Sequence, residues 1–248
     1  MTQWINARVI RIQKWTSNLF KLFLKSSILP FISGQFTKIA IINKNKYIQR
    51  AYSFVNDPKN KNLEFCITLI QNGIMSNKLY HLLKNQKILL SQHANGFFTI
   101  YEIPNCEILW MFSTGTAIGP FCSILQDGSQ LKKFKKIILI HAVRYKRELI
   151  YSSLIKKLKK KYINQLIFQT IVSREYDKTS LIGRIPQLLH SNDLENQVGH
   201  IITPNTSHVM LCGNPNMVKE TQLYLINNRS LKKHFRRNPG HISSEHYW

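Results

Sequence analysis

Four apolar runs in the second half of the chain constrain its fold more than any other feature. Residues 108–112, 137–140, 166–172 and 208–211 each end at small or charged residues: Ser113-Thr114-Gly115, Arg144, Ser173-Arg174 and Cys212-Gly213. A strand with one wet face alternates apolar and polar residues, whereas one covered on both faces reads as a near-continuous apolar run. Helix-like stretches follow the runs at 119–125, 147–161, 185–190 and 218–227. Continuous strands alternating with helices mean βαβ units and a parallel sheet.

The first hundred residues have another character. Short β-rich runs at 7–13, 19–24, 36–42 and 63–69 are separated by turn-like stretches at 29–30, 33–34, 43–46 and 56–58. Strands at this spacing suggest a sandwich or barrel. A short helix is expected over 76–83, with Ser76 as its N-cap. The chain therefore divides near residue 100 into a β domain (1–100) and an α/β domain (101–248). At 44% hydrophobic residues, 248 in all, disorder is excluded for most of it. Cys66, Cys106, Cys122 and Cys212 are widely spaced, with no CxxC pair, so neither a disulfide scaffold nor a zinc ribbon is expected. His93, His141, His208 and His241 have no ligand spacing, and no metal site is expected.

Charge sets the partner classes. Lys and Arg number 35 against 12 Asp and Glu, a net +23. Such a field attracts nucleic acid, anionic membranes, acidic proteins or anionic small molecules. Asn occurs 21 times, so compositional drift toward AT-rich codons accounts for much of the excess. The run 156–161 reads mainly as a solvated helix face. A nucleic-acid-binding protein is the rival from another class, but no RNP1-like, KH or zinc-finger pattern and no basic arm is present. The N-terminus lacks a signal-peptide core, and no apolar run approaches the ~20 residues that span a bilayer. The expectation is a soluble, cytoplasmic protein with no membrane or nucleic-acid partner.

Ligands of open α/β sheets bind beyond the carboxyl ends of the strands. Those ends carry Gly115 and Thr116, Arg144, Arg174, and Cys212 and Gly213, with Arg184 in a nearby Gly-Arg-Ile segment. Guanidinium groups bind phosphate through bidentate, charge-assisted contacts. The Gly115-Thr116-Ala117-Ile118-Gly119-Pro120 turn, entering a helix, offers backbone N–H groups to an anion.

These segments resemble motifs of the ferredoxin–NADP reductase superfamily. Arg50-Ala51-Tyr52-Ser53 is similar to its RxYS flavin motif and Gly73-Ile74-Met75-Ser76 to its GxxS phosphate motif. Residues 115–120 match its nucleotide loop, and Val172-Ser173-Arg174-Glu175 with Gly183-Arg184-Ile185 match its 2′-phosphate segment. Cys212-Gly213-Asn214-Pro215-Asn216-Met217 resembles its CGxPxM nicotinamide motif. The ending, Glu245-His246-Tyr247-Trp248, is similar to that of the bacterial flavodoxin/ferredoxin–NADP reductases.

The resemblance implies an antiparallel FAD-binding β-barrel followed by a parallel-sheet NADP-binding domain whose C-terminal tail returns to the flavin. It implies non-covalent FAD, NADP(H) as substrate, and acidic flavodoxin or ferredoxin as carrier, with a monomer as the usual state. FAD would be held by Arg50, Ala51, Tyr52, Ser53, Cys66, Ile67, Thr68, Leu69, Ile74, Met75, Ser76, Thr116, Tyr247 and Trp248. NADP would be held by Val143, Arg144, Ser173, Arg174, Arg184, Asn214, Pro215, Asn216 and Glu220. Ser53, near flavin N5, and Cys212, near the nicotinamide C4, would be the catalytic residues. Cys66 departs from the pattern, since an aromatic residue often occupies that position. A free-flavin or ferric reductase of the same superfamily is the near rival.

Overall fold

The computed structural model describes residues 2–43 and 46–247. Lys44 and Asn45, within the turn expected over 43–46, and Trp248 lie outside the described residues. The chain forms two compact units, Met1–Ile100 with Gly119–Asp127, and Tyr101–Ile118 with Gly128–Trp248.

In the first unit the period-two pattern produces strands. β1 (Trp4–Lys14), β2 (Leu19–Ser26), β3 (Phe36–Asn43), β4 (Lys46–Ser53), β5 (Asn62–Thr68) and β6 (Lys87–Ser91) form one antiparallel sheet. Its strand order is β4-β3-β6-β1-β2-β5. Phe20, Leu22 and Leu24 of β2 point inward and are wholly buried, while Lys25 is exposed. Each such apolar side chain contributes about 1.5–3 kcal/mol on burial. Beyond β4 the Val55 N–H donates to the Glu64 carbonyl of β5 at 2.9 Å, joining the sheet's two edge strands.

Two helices belong to this unit: α1 (Ile74–Tyr80) and α2 (Gly119–Asp127). Sequence reading puts α2 in the α/β half, but its polar groups are satisfied by the β unit. The Ser123 hydroxyl donates to the Asn56 carbonyl at 2.7 Å, and the Gln126 amide to the Val55 carbonyl at 2.7 Å.

The second unit is the expected parallel sheet. β7 (Ile108–Thr114), β8 (Lys136–Val143), β9 (Leu166–Val172), β10 (Ser180–Ile182), β11 (Ser207–Gly213) and β12 (Ile242–His246) run in the order β10-β9-β8-β7-β11-β12. Helices α3 (Ser152–Lys161), α4 (Ile185–His190), α5 (Asp193–Val198) and α6 (Pro215–Arg229) complete it. Trp110 and Phe112 of β7, Ile138 and Ile140 of β8, and Val209 and Leu211 of β11 share one core with Leu188, Leu189, Val218 and Leu225 of α4 and α6. From β7 the chain moves to β8 and β9 on one side, then crosses to β11 on the other. The topological switch point thus lies between β7 and β11, where such folds bind ligands.

Several elements differ from the sequence reading. The short helix begins at Ile74 with Gly73 at its N-cap, so Ser76 is not the cap. Its hydroxyl instead accepts from the Ile70 N–H at 3.0 Å, clasping the preceding loop. Arg50 to Ser53 end β4, a strand outside the four β-rich runs of the first hundred residues. The helix expected from residue 147 starts at Ser152, after a 3-10 turn at Lys146–Glu148. There the Glu148 carboxylate accepts the Arg144 and Tyr145 N–H groups, at 2.9 and 3.1 Å, and closes the turn. Strands β6, β10 and β12 were not anticipated; they are short and lack a long apolar run.

Candidate functional site

In the first unit, β4 and β5 present the RxYS and Cys66–Leu69 segments. Arg50 and Ala51 are exposed, Tyr52 is half-buried and Ser53 is buried. The Arg50 guanidinium donates to the Gln49 carbonyl at 2.8 Å. The Tyr52 ring meets Phe65 edge-on, with centroids 6.5 Å apart. Burial pushes its phenol up to about 12, against the pull of Arg50, so the hydroxyl is neutral. Cys66 and Ile67 are buried, whereas Thr68 and Leu69 are half-buried.

The loop leading to α1 is tightly tied. The Asn77 amide donates to the Ile70 and Gly73 carbonyls at 3.1 and 2.8 Å. At Gly73 a Cβ would come within 2.9 Å of the Ser76 hydroxyl. Both Met75 and Ser76 are buried and Ile74 is exposed. The Ser76 side chain is engaged in this clasp, so the group that α1 offers to an anion is its first-turn backbone N–H array.

In the second unit the strand ends form one frame around the switch point. Gly115 leaves β7 with φ +53°, and its carbonyl meets the Nε2 of buried His141 on β8 at 2.9 Å. Burial lowers the His141 pKa to about 4 against the help of that bond. The ring is therefore neutral and donates through Nε2. Thr116, which follows, is buried. Across the switch point, the Thr114 hydroxyl accepts from the Asn214 N–H at 2.8 Å. Gly213 lies so close that a Cβ would fall 2.1 Å from the Thr114 hydroxyl oxygen.

Cys212, at the end of β11, is wholly buried. Burial, then the Glu245 carboxylate, push its thiol well above the usual range. It is a neutral group and not an activated thiolate. Asn214 caps α6, its side-chain oxygen accepting from Asn216 and Met217 N–H at 3.0 and 3.3 Å. Pro215 follows inside the first turn, with Asn216 and Glu220 exposed on the helix. The Tyr247 N–H donates to the Gly213 carbonyl at 2.9 Å, which ties the tail to the end of β11.

Arg144, Arg174 and Arg184 follow β8, β9 and β10, which are neighbours at one edge of the sheet. Val143 is buried and Arg144 exposed at the end of β8; Ser173 is half-buried and Arg174 exposed at the end of β9. Backbone bonds join these loops, Ser173 N–H to Val143 carbonyl at 3.1 Å and Arg174 N–H to Arg144 carbonyl at 3.0 Å. Arg184, exposed, is the residue before α4. Sequence reading missed His141, Thr114 and the polar residues behind the arginines, Lys146 and Asp177; these pair across distances that local patterns do not show. Among the described residues no group of three His, Cys, Asp or Glu could hold a metal.

Two family models match successive parts of the chain. Residues 10–97 match the model of the oxidoreductase FAD-binding domain and residues 111–223 that of the oxidoreductase NAD-binding domain. The chain is 54% identical over 249 residues to a flavodoxin/ferredoxin–NADP reductase of Buchnera aphidicola subsp. Baizongia pistaciae. It is 46% identical over 248 residues to that of Escherichia coli. Both alignments cover all of each chain. A crystal structure of a ferredoxin NADP+ reductase from Neisseria gonorrhoeae with bound FAD and NADP superposes with a TM-score of 0.93, at 30% identity and full coverage of both chains.

Proposed function

We propose how the residues of this chain divide the work of its family, since the chain belongs to the flavodoxin/ferredoxin–NADP reductases. It is an FAD-dependent oxidoreductase that transfers electrons between NADPH and an electron carrier. Bound flavin supplies the exchange between two-electron transfer with the nicotinamide and one-electron transfer with the carrier.

Residues 1–100 are assigned to FAD and 101–248 to NADP. Arg50 neutralises the flavin pyrophosphate, together with the N–H groups of Ile74 and Met75 at the start of α1, while Ser76 holds that loop in shape. Tyr52 offers a flat face to the flavin ring with its phenol protonated, and Ser53 donates a hydrogen bond near N5. Ala51, Cys66, Ile67, Thr68 and Leu69 are assigned to the same cradle, and by the resemblance Thr116, Tyr247 and Trp248 are also assigned to the flavin. Cys212 positions the nicotinamide as a neutral group, with Asn214, Pro215, Asn216 and Glu220 beside it.

One observation carries the nucleotide assignment. The guanidinium groups of Arg144, Arg174 and Arg184 have no hydrogen bond or ion pair among the described residues, although Glu148, Glu175 and Asp177 lie on the same loops. Three free arginines at one edge suit the 2′-phosphate that distinguishes NADP from NAD. Val143 and Ser173 line the same edge. Replacing Arg174 and Arg184 by Ala should raise KM for NADPH far more than for NADH, each lost contact costing about 1.5–3 kcal/mol. Equal losses with both nucleotides would refute the assignment.

The carrier is proposed to be an acidic flavodoxin or ferredoxin that meets a basic surface, and the enzyme a cytoplasmic monomer without membrane or nucleic-acid partners. No helix among the described residues is long and apolar enough to cross a membrane.

A further inference from the structure

We infer that Asp177, held by Lys146, is a specificity-determining positioning residue: it fixes the two loops that carry Arg144 and Arg174 and thereby sets the preference for a 2′-phosphorylated nucleotide. This rests on the reading of those arginines given above. Asp177 is an acid three residues after Arg174, yet its side chain is only 4% exposed. Its Oδ1 accepts from Lys146 Nζ, on the β8 loop, at 2.5 Å. Its Oδ2 accepts from the Thr179 and Ser180 hydroxyls, each at 2.7 Å. The Ser180 hydroxyl also contacts that of Thr170 on β9 at 2.6 Å. One carboxylate thus joins the β8 loop, the β9 loop and the strand behind them.

The neighbouring acids are occupied in the same manner. Glu175 accepts the Lys146 backbone N–H. Glu148 accepts the Arg144 and Tyr145 N–H groups. Glu148, Glu175 and Asp177 are therefore engaged by backbone N–H groups, hydroxyls or Lys146, and among the described residues none of them pairs with Arg144, Arg174 or Arg184. Hydrogen bonds from Lys146, then Ser180 and Thr179, hold the Asp177 carboxyl far below the usual range, so it stays ionised at working pH.

Charge alone predicts the opposite behaviour, which makes the idea testable. Removing a negative charge and releasing Lys146 would strengthen the local positive field and tighten NADPH binding. Loss of a positioning group would loosen the arginines and weaken it, because phosphate recognition by Arg depends on its planar, bidentate geometry.

The experiment is steady-state reduction of a neutral quinone by the FAD-loaded enzyme, with NADPH and with NADH, for Asp177→Asn, Thr179→Val and Arg174→Ala. In Asp177→Asn we expect KM for NADPH to rise about tenfold, with KM for NADH and both kcat values within about twofold. Thr179→Val removes one hydrogen bond and keeps the ion pair. It should give a smaller rise of the same selectivity, and it carries the test if the Asn variant does not fold. NADH kinetics report that folding. If Arg174→Ala discriminates between the nucleotides but the Asp177 and Thr179 variants leave KM for NADPH unchanged or lower, the inference is overturned and the arginine reading stands. If Arg174→Ala affects both nucleotides equally, the arginine reading falls and takes the inference with it.

Discussion

The buried histidine beneath the Gly115 turn makes the second unit sensitive to acid. His141 is 2% exposed, and burial lowers its pKa to about 4. In the unfolded chain it titrates near about 6.5. The unfolded state therefore takes up the proton first. The stability that neutral His141 supports is complete above about pH 6.5 and is lost as pH falls toward about 4. At pH 5 the loss from this one group is about 2 kcal/mol, from the ratio of protonation in the two states. That is a large part of the about 5–15 kcal/mol that holds a typical domain together. His208, lowered to about 3 mainly by burial and then by His234 and His241, adds a loss in the same window. The perturbation to make is His141→Gln, whose amide N–H can still donate to the Gly115 carbonyl but does not titrate. Urea titrations followed by circular dichroism at pH 8, 6.5 and 5 give the stability of each form. Wild type should lose about 2 kcal/mol more than the Gln variant between pH 8 and pH 5. Parallel losses in the two proteins would show that His141 is not buried as a neutral group.

Two further outcomes follow from features described above. Stopped-flow reduction of flavodoxin at saturating NADPH should fall more steeply with salt than reduction of a neutral quinone, since steering of an acidic carrier by a basic protein is screened beyond about 10 Å at 0.1 M salt; equal slopes would leave the positive charge with no part in carrier capture. Gly213→Ala puts a Cβ onto the Thr114 hydroxyl at φ +139°, and should cost about 3 kcal/mol by urea titration, whereas a change under about 0.5 kcal/mol would mean that the two strand ends are not held in contact.

How much of this was legible depended on whether the signal was local. The strands β7, β8, β9 and β11 could be read because each is a contiguous apolar run, and the parallel sheet followed from their alternation with helices. Arg144, Arg174 and Cys212 could be singled out because ligands of such sheets bind beyond the carboxyl ends of the strands. β4 carries little pattern of its own: five of its eight residues are exposed, and only Ser53 at its end is buried. β12 exists because it adds to β11 in parallel register, Ile242 beside Val209, which no neighbouring residue in sequence announces. Ser76 looked like a helix cap by type, but its partner, Ile70, lies on the preceding loop. The Lys146–Asp177 pair spans 31 residues and required the two strands to be placed first.

The allegiance of α2 bears on how the polypeptide emerges during synthesis. The first unit takes in residues 119–127, so a nascent chain that has reached residue 100 still lacks the helix that satisfies the Val55 and Asn56 carbonyls. By the time Asp127 has been made, the apolar strand β7 has also been made. Its two sheet partners, β8 and β11, still lie ahead. Translation therefore passes through a stage at which Leu109, Trp110, Met111 and Phe112 have no sheet to enter, the kind of exposed segment that invites chaperone capture or aggregation.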